Sequence, residues 1–181
     1  MFRQTAFGMA LSTLVLASGL MTAPIPGNNF TKKNAHTQSF NISSQAALSN
    51  FNSQNSTLEK LVFEQINQYR ASQGLSQLTL NANITQQARI HSQNMAKGTV
   101  KFSHHGFEQR VKAIPLKYDS AGENVAFNIG YSDPAHQAVV GWLNSPGHLK
   151  NIQGKYKLTG VGVATNAKGE VYLTQIFINT R

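Results

Sequence analysis

Two apolar runs near the C-terminal end, Leu158 to Ala164 and Val171 to Ile178, flank Asn166-Ala167-Lys168-Gly169 and read as a β-hairpin. The first run carries Gly160 and Gly162, which fall on one face of the strand because side chains alternate. Two missing side chains on one strand face let another backbone come close, and the neighbour expected there is a packed helix. The upstream sequence offers helices that can take that place.

Ser56 and Glu59 have capping-box spacing ahead of Leu58, Leu61, Val62, Ile66 and Tyr69, a helical stripe that stops at Gly74, with Arg70 and the polar face directed outward. Ile84, Ala88, His91 and Met95 share one face of a second helix ending near Lys97-Gly98. His91 lies on that apolar stripe and reads as a core histidine with its nitrogens satisfied. Val100 to Arg110 reads as a loop in which Gly106 allows a turn, and Val111 to Ser120 gives no signal. Gly122-Glu123-Asn124 stands at the mouth of a short strand through Val125, Phe127 and Ile129. Asp133-Pro134 starts a further helix that places Ala135, Val139 and either Trp142 or Leu143 inward, and Ser145-Pro146 starts a short one carrying His148. Helices before and between antiparallel strands predict an α+β layered domain.

The 181 residues suffice for one domain plus a leader, and 40% hydrophobic content suffices for its core. Cysteine is absent, which excludes disulfides, thiolate metal sites and a cysteine nucleophile. The formal charge of +9 favours acidic partners such as lipid head groups or envelope polymers. Its basic residues are scattered, with only Lys32-Lys33 adjacent, so nucleic acid is not an expected partner. Arg3, the uncharged stretch Ala6 to Ala23 and the following Pro24-Ile25-Pro26-Gly27 have the form of a secretory signal. An uncleaved anchor is the competing reading, since about 18 apolar residues nearly span a bilayer. The expected organisation is a leader over residues 1–26, a polar and disordered linker over 27–56, and a domain over 57–181, acting as a monomer in a secreted, periplasmic or cell-envelope setting.

The chemistry concentrates on three segments: Ser103-His104, Glu123-Asn124, and Ser145-Pro146-Gly147-His148. Two imidazoles and a carboxylate with water in a fourth position form an open zinc site, and the same groups suit acid–base work. No His-x-x-x-His pair fixes two ligands on one helix, and structural roles compete for each residue. His36 and His136 read as surface groups. Neighbouring histidines cannot both face one point, so His105 stays outside the site.

The region from about Leu58 to Arg181 resembles the CAP superfamily (cysteine-rich secretory, antigen 5 and pathogenesis-related 1 proteins) in its bacterial SCP-like form. The matching pieces run in order: Asn67-Gln68-Tyr69-Arg70, His91-Ser92, Phe102-Ser103-His104, Gly122-Glu123-Asn124-Val125-Ala126, Trp142-Leu143-Asn144-Ser145-Pro146-Gly147-His148 and Gly160-Val161-Gly162-Val163. The resemblance implies a three-layer α-β-α sandwich with a small antiparallel sheet and a central cleft. It also implies a divalent cation such as zinc on His104, Glu123 and His148, with Ser103, Asn124 and Ser145 around them. The second cleft glutamate of the family would follow Trp142, where this chain has Leu143, Asn144 and Ser145. Two functions follow as expectations. One is a non-catalytic secreted module binding a cation and a lipid or other envelope ligand. The other is a metal-assisted, protease-like hydrolase with Glu123 as its catalytic base.

Overall fold

The structure is a computed structural model that describes residues 35–181. The leader and the first part of the linker lie outside the described residues. Helix α1 (Ala35–Ser72) is followed by β1 (Thr79–Leu80), α2 (Ala82–Ala96), α3 (Phe107–Lys112), β2 (Tyr118–Ile129), α4 (Pro134–Leu143), α5 (Pro146–Ile152), β3 (Leu158–Thr165) and β4 (Glu170–Thr180). The strand order is β1-β3-β4-β2, with β4 antiparallel to both its neighbours and the two-residue β1 parallel to β3.

One face of the sheet is covered by α1, α4 and α5, and the other by α2 and α3. Alternation along the strands divides the core accordingly. Val161, Val163, Leu173 and Phe177 pack with Val62, Ile66, Val139 and Trp142, while Ile176 and Ile178 pack with Ile84, Ala88 and Val111. This is the α-β-α sandwich expected. The hairpin turn forms where expected too: Gly169 has φ of 75°, and Asn166 Oδ1 accepts from the N–H groups of Lys168 and Glu170.

The prediction drawn from Gly160 and Gly162 holds. A Cβ on Gly160 would collide with the backbone of Ile84 and Thr85, and one on Gly162 with that of Ala88 and Arg89. Helix α2 thus lies backbone-on-strand across β3, and Ser92 fastens it by donating to the Gly162 carbonyl at 2.8 Å.

Several local expectations are corrected. No helix starts at Ser56, because α1 is continuous from Ala35 and takes in the polar stretch expected as linker. Nothing between Gly27 and Gly74 is a glycine or proline, so nothing breaks the helix. Glu59 does not close a capping box; it binds Arg89 through Nε at 2.8 Å and accepts from Val163 N at 3.1 Å. Arg70 is not outward but 2% exposed, donating to the carbonyls of Ser76, Ile152 and Gly154. The stretch 100–110 includes the start of α3, and β2 begins at Tyr118, so Glu123 and Asn124 lie mid-strand instead of at its mouth. Pairing with β4 along its whole length extends β2 through residues that lack apolar alternation.

Gly162→Ala is expected to lower the unfolding free energy by about 1–3 kcal/mol or more, since both obstructing groups are main chain and the whole helix must shift. Gly141→Ala is the control: it is helical, with nothing within 4 Å of its added methyl, and should gain about 0.5–1 kcal/mol. Urea denaturation of both variants measures the difference.

Candidate functional site

Strand β2 is an edge strand. In β4 the even-numbered residues point their backbone polar groups toward β3, as Lys157 N donating to the Ile178 carbonyl shows, so the odd ones face β2. Even residues of β2 therefore bond β4, and Glu123, Val125 and Phe127 turn their N–H and C=O groups to the open edge. Side chains of the neighbouring helices close part of it. Trp142 Nε1 donates to the Val125 carbonyl at 2.9 Å, and Asn151 Nδ2 donates to the Glu123 carbonyl at 3.0 Å.

The side chains of Glu123 and Asn124 leave β2 on opposite faces. Asn124, fully buried, donates to the His148 carbonyl at 3.2 Å and accepts from Asn151 Nδ2 at 2.9 Å, which pins α5 to the strand. Glu123 faces α3. Arg110 grips it with two hydrogen bonds, Nε to Oε2 at 2.9 Å and Nη2 to Oε1 at 2.8 Å. His104 Nδ1 lies 3.0 Å from Oε1. An ionised carboxylate only accepts, so His104 donates from Nδ1 and its Nε2 is left for something else.

His104 and His148 approach across the open edge from its two sides, with ring centroids 6.1 Å apart and planes tilted by 45°. The structure thus brings together the three residues expected to meet. Burial, and secondarily the neighbouring His104, lowers the pKa of His148, which favours its neutral form. Beside it lies a hollow of about 250 Å³ bordered by Val125, Phe127, Trp142, Ser145 and His148. Ser145 stands at the N-cap of α5 but makes no cap hydrogen bond. Ser103 closes a local turn, donating to the Lys101 carbonyl and accepting from His105 N. Neither hydroxyl bonds an imidazole among the described residues, so no serine is set up as a nucleophile.

The expected three-ligand metal centre does not fit this donor set. Both oxygens of Glu123 are taken by Arg110 and His104, and among the described residues no three His, Cys, Asp or Glu side chains are arranged to hold an ion. Glu123 instead orients His104, the outer position a carboxylate takes behind a histidine. A cation here would rest on His104 Nε2 and a ring nitrogen of His148, with water elsewhere.

Arg110 and Asn151 are functional residues that sequence reasoning missed. Arg110 projects from a six-residue helix held over β2 by buried Val111, and its only sequence signal is a basic residue three positions after Phe107. His91 is core, as expected. It is 2% exposed and its Nε2 bonds the Ser103 carbonyl at 2.8 Å, tethering the loop that carries His104.

Comparison with known proteins bears on the family and the fold. Residues 63–177 match the cysteine-rich secretory protein (CAP) family, and the chain belongs to it. The uncharacterized protein YkwD of Bacillus subtilis is 36% identical over 129 residues, covering 68% of this chain and 48% of YkwD, so the chain spans about half of that relative. An extracellular SCP-domain protein from Bacillus anthracis superposes with a TM-score of 0.58 at 29% identity, over 70% of this chain and 41% of that one. An outer surface protein of Borrelia burgdorferi shares the fold, with a TM-score of 0.61 at 16% identity over 69% of this chain and 94% of its own. No helix among the described residues is long and apolar enough to cross a membrane.

Removing the guanidinium leaves a buried carboxylate unmatched, so Arg110→Ala is expected to cost about 3–5 kcal/mol of stability, most of it recovered in Arg110→Ala/Glu123→Gln. A double-mutant cycle in chemical denaturation checks this. Burial is also the largest influence on His91 and lowers its pKa, against the opposing pull of the Ser103 carbonyl. The unfolded chain then takes up protons first. The contribution of His91 is whole above the ordinary pKa of about 6.5 and declines as pH falls from there toward the depressed folded value. Stability measured from pH 7.5 to 5 should fall less steeply in His91→Gln than in the native chain.

Proposed function

We propose that this chain is an exported CAP module that captures an amphiphilic ligand, a lipid or other envelope molecule with an acidic head, in the cleft over the open edge of β2, and leaves it chemically unchanged. The observation that carries this reading is the commitment of Glu123 to Arg110. A metal-assisted hydrolase would need that carboxylate free as its base, and no second carboxylate or activated hydroxyl replaces it among the described residues. What faces solvent is an imidazole pair beside an apolar surface. Phe102, Phe127, Ile129 and Tyr131 are all at least two-fifths exposed, and the Phe127 ring stands 6.3 Å from Phe102 and 5.0 Å from Tyr172. Exposed aromatics gathered at the rim of a polar cleft suit an apolar tail, and the positive charge of the chain favours an anionic head.

Trp142 is the only tryptophan and borders the hollow, so its emission reports occupancy directly. Titration with lysophosphatidylglycerol below its micellar concentration should give a saturable change, weaker with lysophosphatidylcholine and weaker in high salt. Phe127→Ser should reduce affinity about tenfold or more, the loss expected when a large apolar contact is removed. A flat titration with both lipids would remove the amphiphile reading.

A further inference from the structure

The two helices that flank the β3 margin turn polar stripes toward one recess. On α1, Asn52, Asn55, Ser56 and Glu59 recur at helical spacing, and on α2 Gln86, Arg89 and Gln93 do the same. Facing stripes of packed helices are ordinarily apolar. Here the two polar stripes and Val163 of β3 border a hollow of about 350 Å³, toward the lower end of the range of small-molecule pockets, about 300–1,000 Å³. It lies at the opposite margin of the sheet from the imidazole cleft and shares no residue with it.

The floor of the hollow is fixed. Glu59 is buried, accepts from Val163 N, and holds Arg89 through Nε at 2.8 Å and through Nη2. That grip turns the other edge of the guanidinium away from the carboxylate, and Nη1 on that edge has no hydrogen-bond partner among the described residues. The Arg89 side chain is 42% exposed, so this edge can be reached from solvent. Asn55 is held through its Oδ1, which accepts from Thr165 Oγ1 at 2.8 Å, and its Nδ2 is unpaired among the described residues. Asn52, Ser56, Gln86 and Gln93 are exposed at the rim, and their side chains make no hydrogen bond with the described residues.

A fixed guanidinium edge takes two adjacent oxygens, such as those of a phosphate, a carboxylate or a vicinal diol. Charge decides among them. The Glu59 carboxylate already balances Arg89 and no lysine borders the hollow, so an anion gains no net attraction there. Carboxamides and hydroxyls both donate and accept, which matches a ligand whose own groups do both. We infer that the hollow binds a neutral sugar, a pyranose unit whose vicinal diol spans Nη1 and Nη2 of Arg89. Its remaining hydroxyls bond Gln86 and Gln93 on α2 and Asn52 and Asn55 on α1. This binding is independent of amphiphile capture at the β2 margin.

The test uses the whole chain, labelled with ¹⁵N and titrated with methyl β-D-glucopyranoside and with cellotetraose. The expected result is a saturable shift of the side-chain amide signals of Asn55, Gln86 and Gln93 and of the Arg89 Nε–H signal, unchanged in high salt. Gln86→Ala/Gln93→Ala puts the best helix former at two exposed helical positions, so it should keep the native Tm. It should weaken binding about tenfold, the loss expected from two hydrogen bonds. Tighter binding of the tetrasaccharide assigns the site to a glycan chain, and equal binding assigns it to a free sugar. Four results would each overturn the proposal: no saturable shift with either sugar, equal shifts from 2-(hydroxymethyl)tetrahydropyran, which lacks the diol, stronger binding of the methyl glucuronide than of the glucoside, or full affinity in the double variant.

Discussion

The direct seating of α2 on β3 governs where the functional groups stand. With no side chain at Gly160 or Gly162, the helix axis is set by contact between backbones, and that distance has little freedom. From this position His91 reaches the Ser103 carbonyl, Ser103 leads to His104, and His104 meets Glu123 on β2. A contact at the centre of the sheet is thereby transmitted, through one hydrogen bond and one loop, to an imidazole at its edge. Had β3 carried alanines, the helix would ride higher and the loop would be tethered elsewhere.

The second organising element is the use of buried carboxylates at both margins of the sheet, four strands wide among the described residues. At the β3 margin Glu59 accepts from Val163 N and is gripped by Arg89; at the β2 margin Glu123 is gripped by Arg110 and backs His104. Each pair ties a helix to a strand edge that has no further strand to bond among the described residues. Edges left bare recruit other chains, and covering them with helices, charges and short pairs prevents this. The gap that remains beside Phe127 is where a ligand can approach main chain.

The parts of this arrangement legible in the sequence were those written as local patterns. The Gly-x-Gly spacing announced the helix on β3, the apolar stripe announced that His91 is buried, and the order of short motifs announced that His104, Glu123 and His148 would meet. What escaped were side chains whose partners come from distant segments. Arg70 looks like an exposed helical arginine because its acceptors, the Ile152 and Gly154 carbonyls, lie more than eighty positions away. Arg110 escaped for the same reason, and with it the task of Glu123. A carboxylate in a Gly-Glu-Asn motif reads as a ligand until the guanidinium that occupies it is seen. The start of α1 escaped because a polar run without glycine or proline carries neither a helix stripe nor a stop.

A domain of this family without a single cysteine must hold its loops by other means, and the structure shows which. Arg70 joins the end of α1 to the end of α5, Asn67 exchanges two hydrogen bonds with Leu78 across the link into β1, and Asn151 with Asn124 fastens α5 to β2. These ties differ from disulfides in kind. A disulfide acts largely on the unfolded chain by closing a loop, whereas these clamps exist only in the folded state and vanish together with it. They are indifferent to redox conditions, but each depends on a buried polar group finding its one partner, and leaving that group unmatched costs more than the bond itself contributes. The chain therefore trades tolerance of substitution at the clamps for independence from an oxidising compartment. The polar positions in its core are as restrictive as the apolar ones.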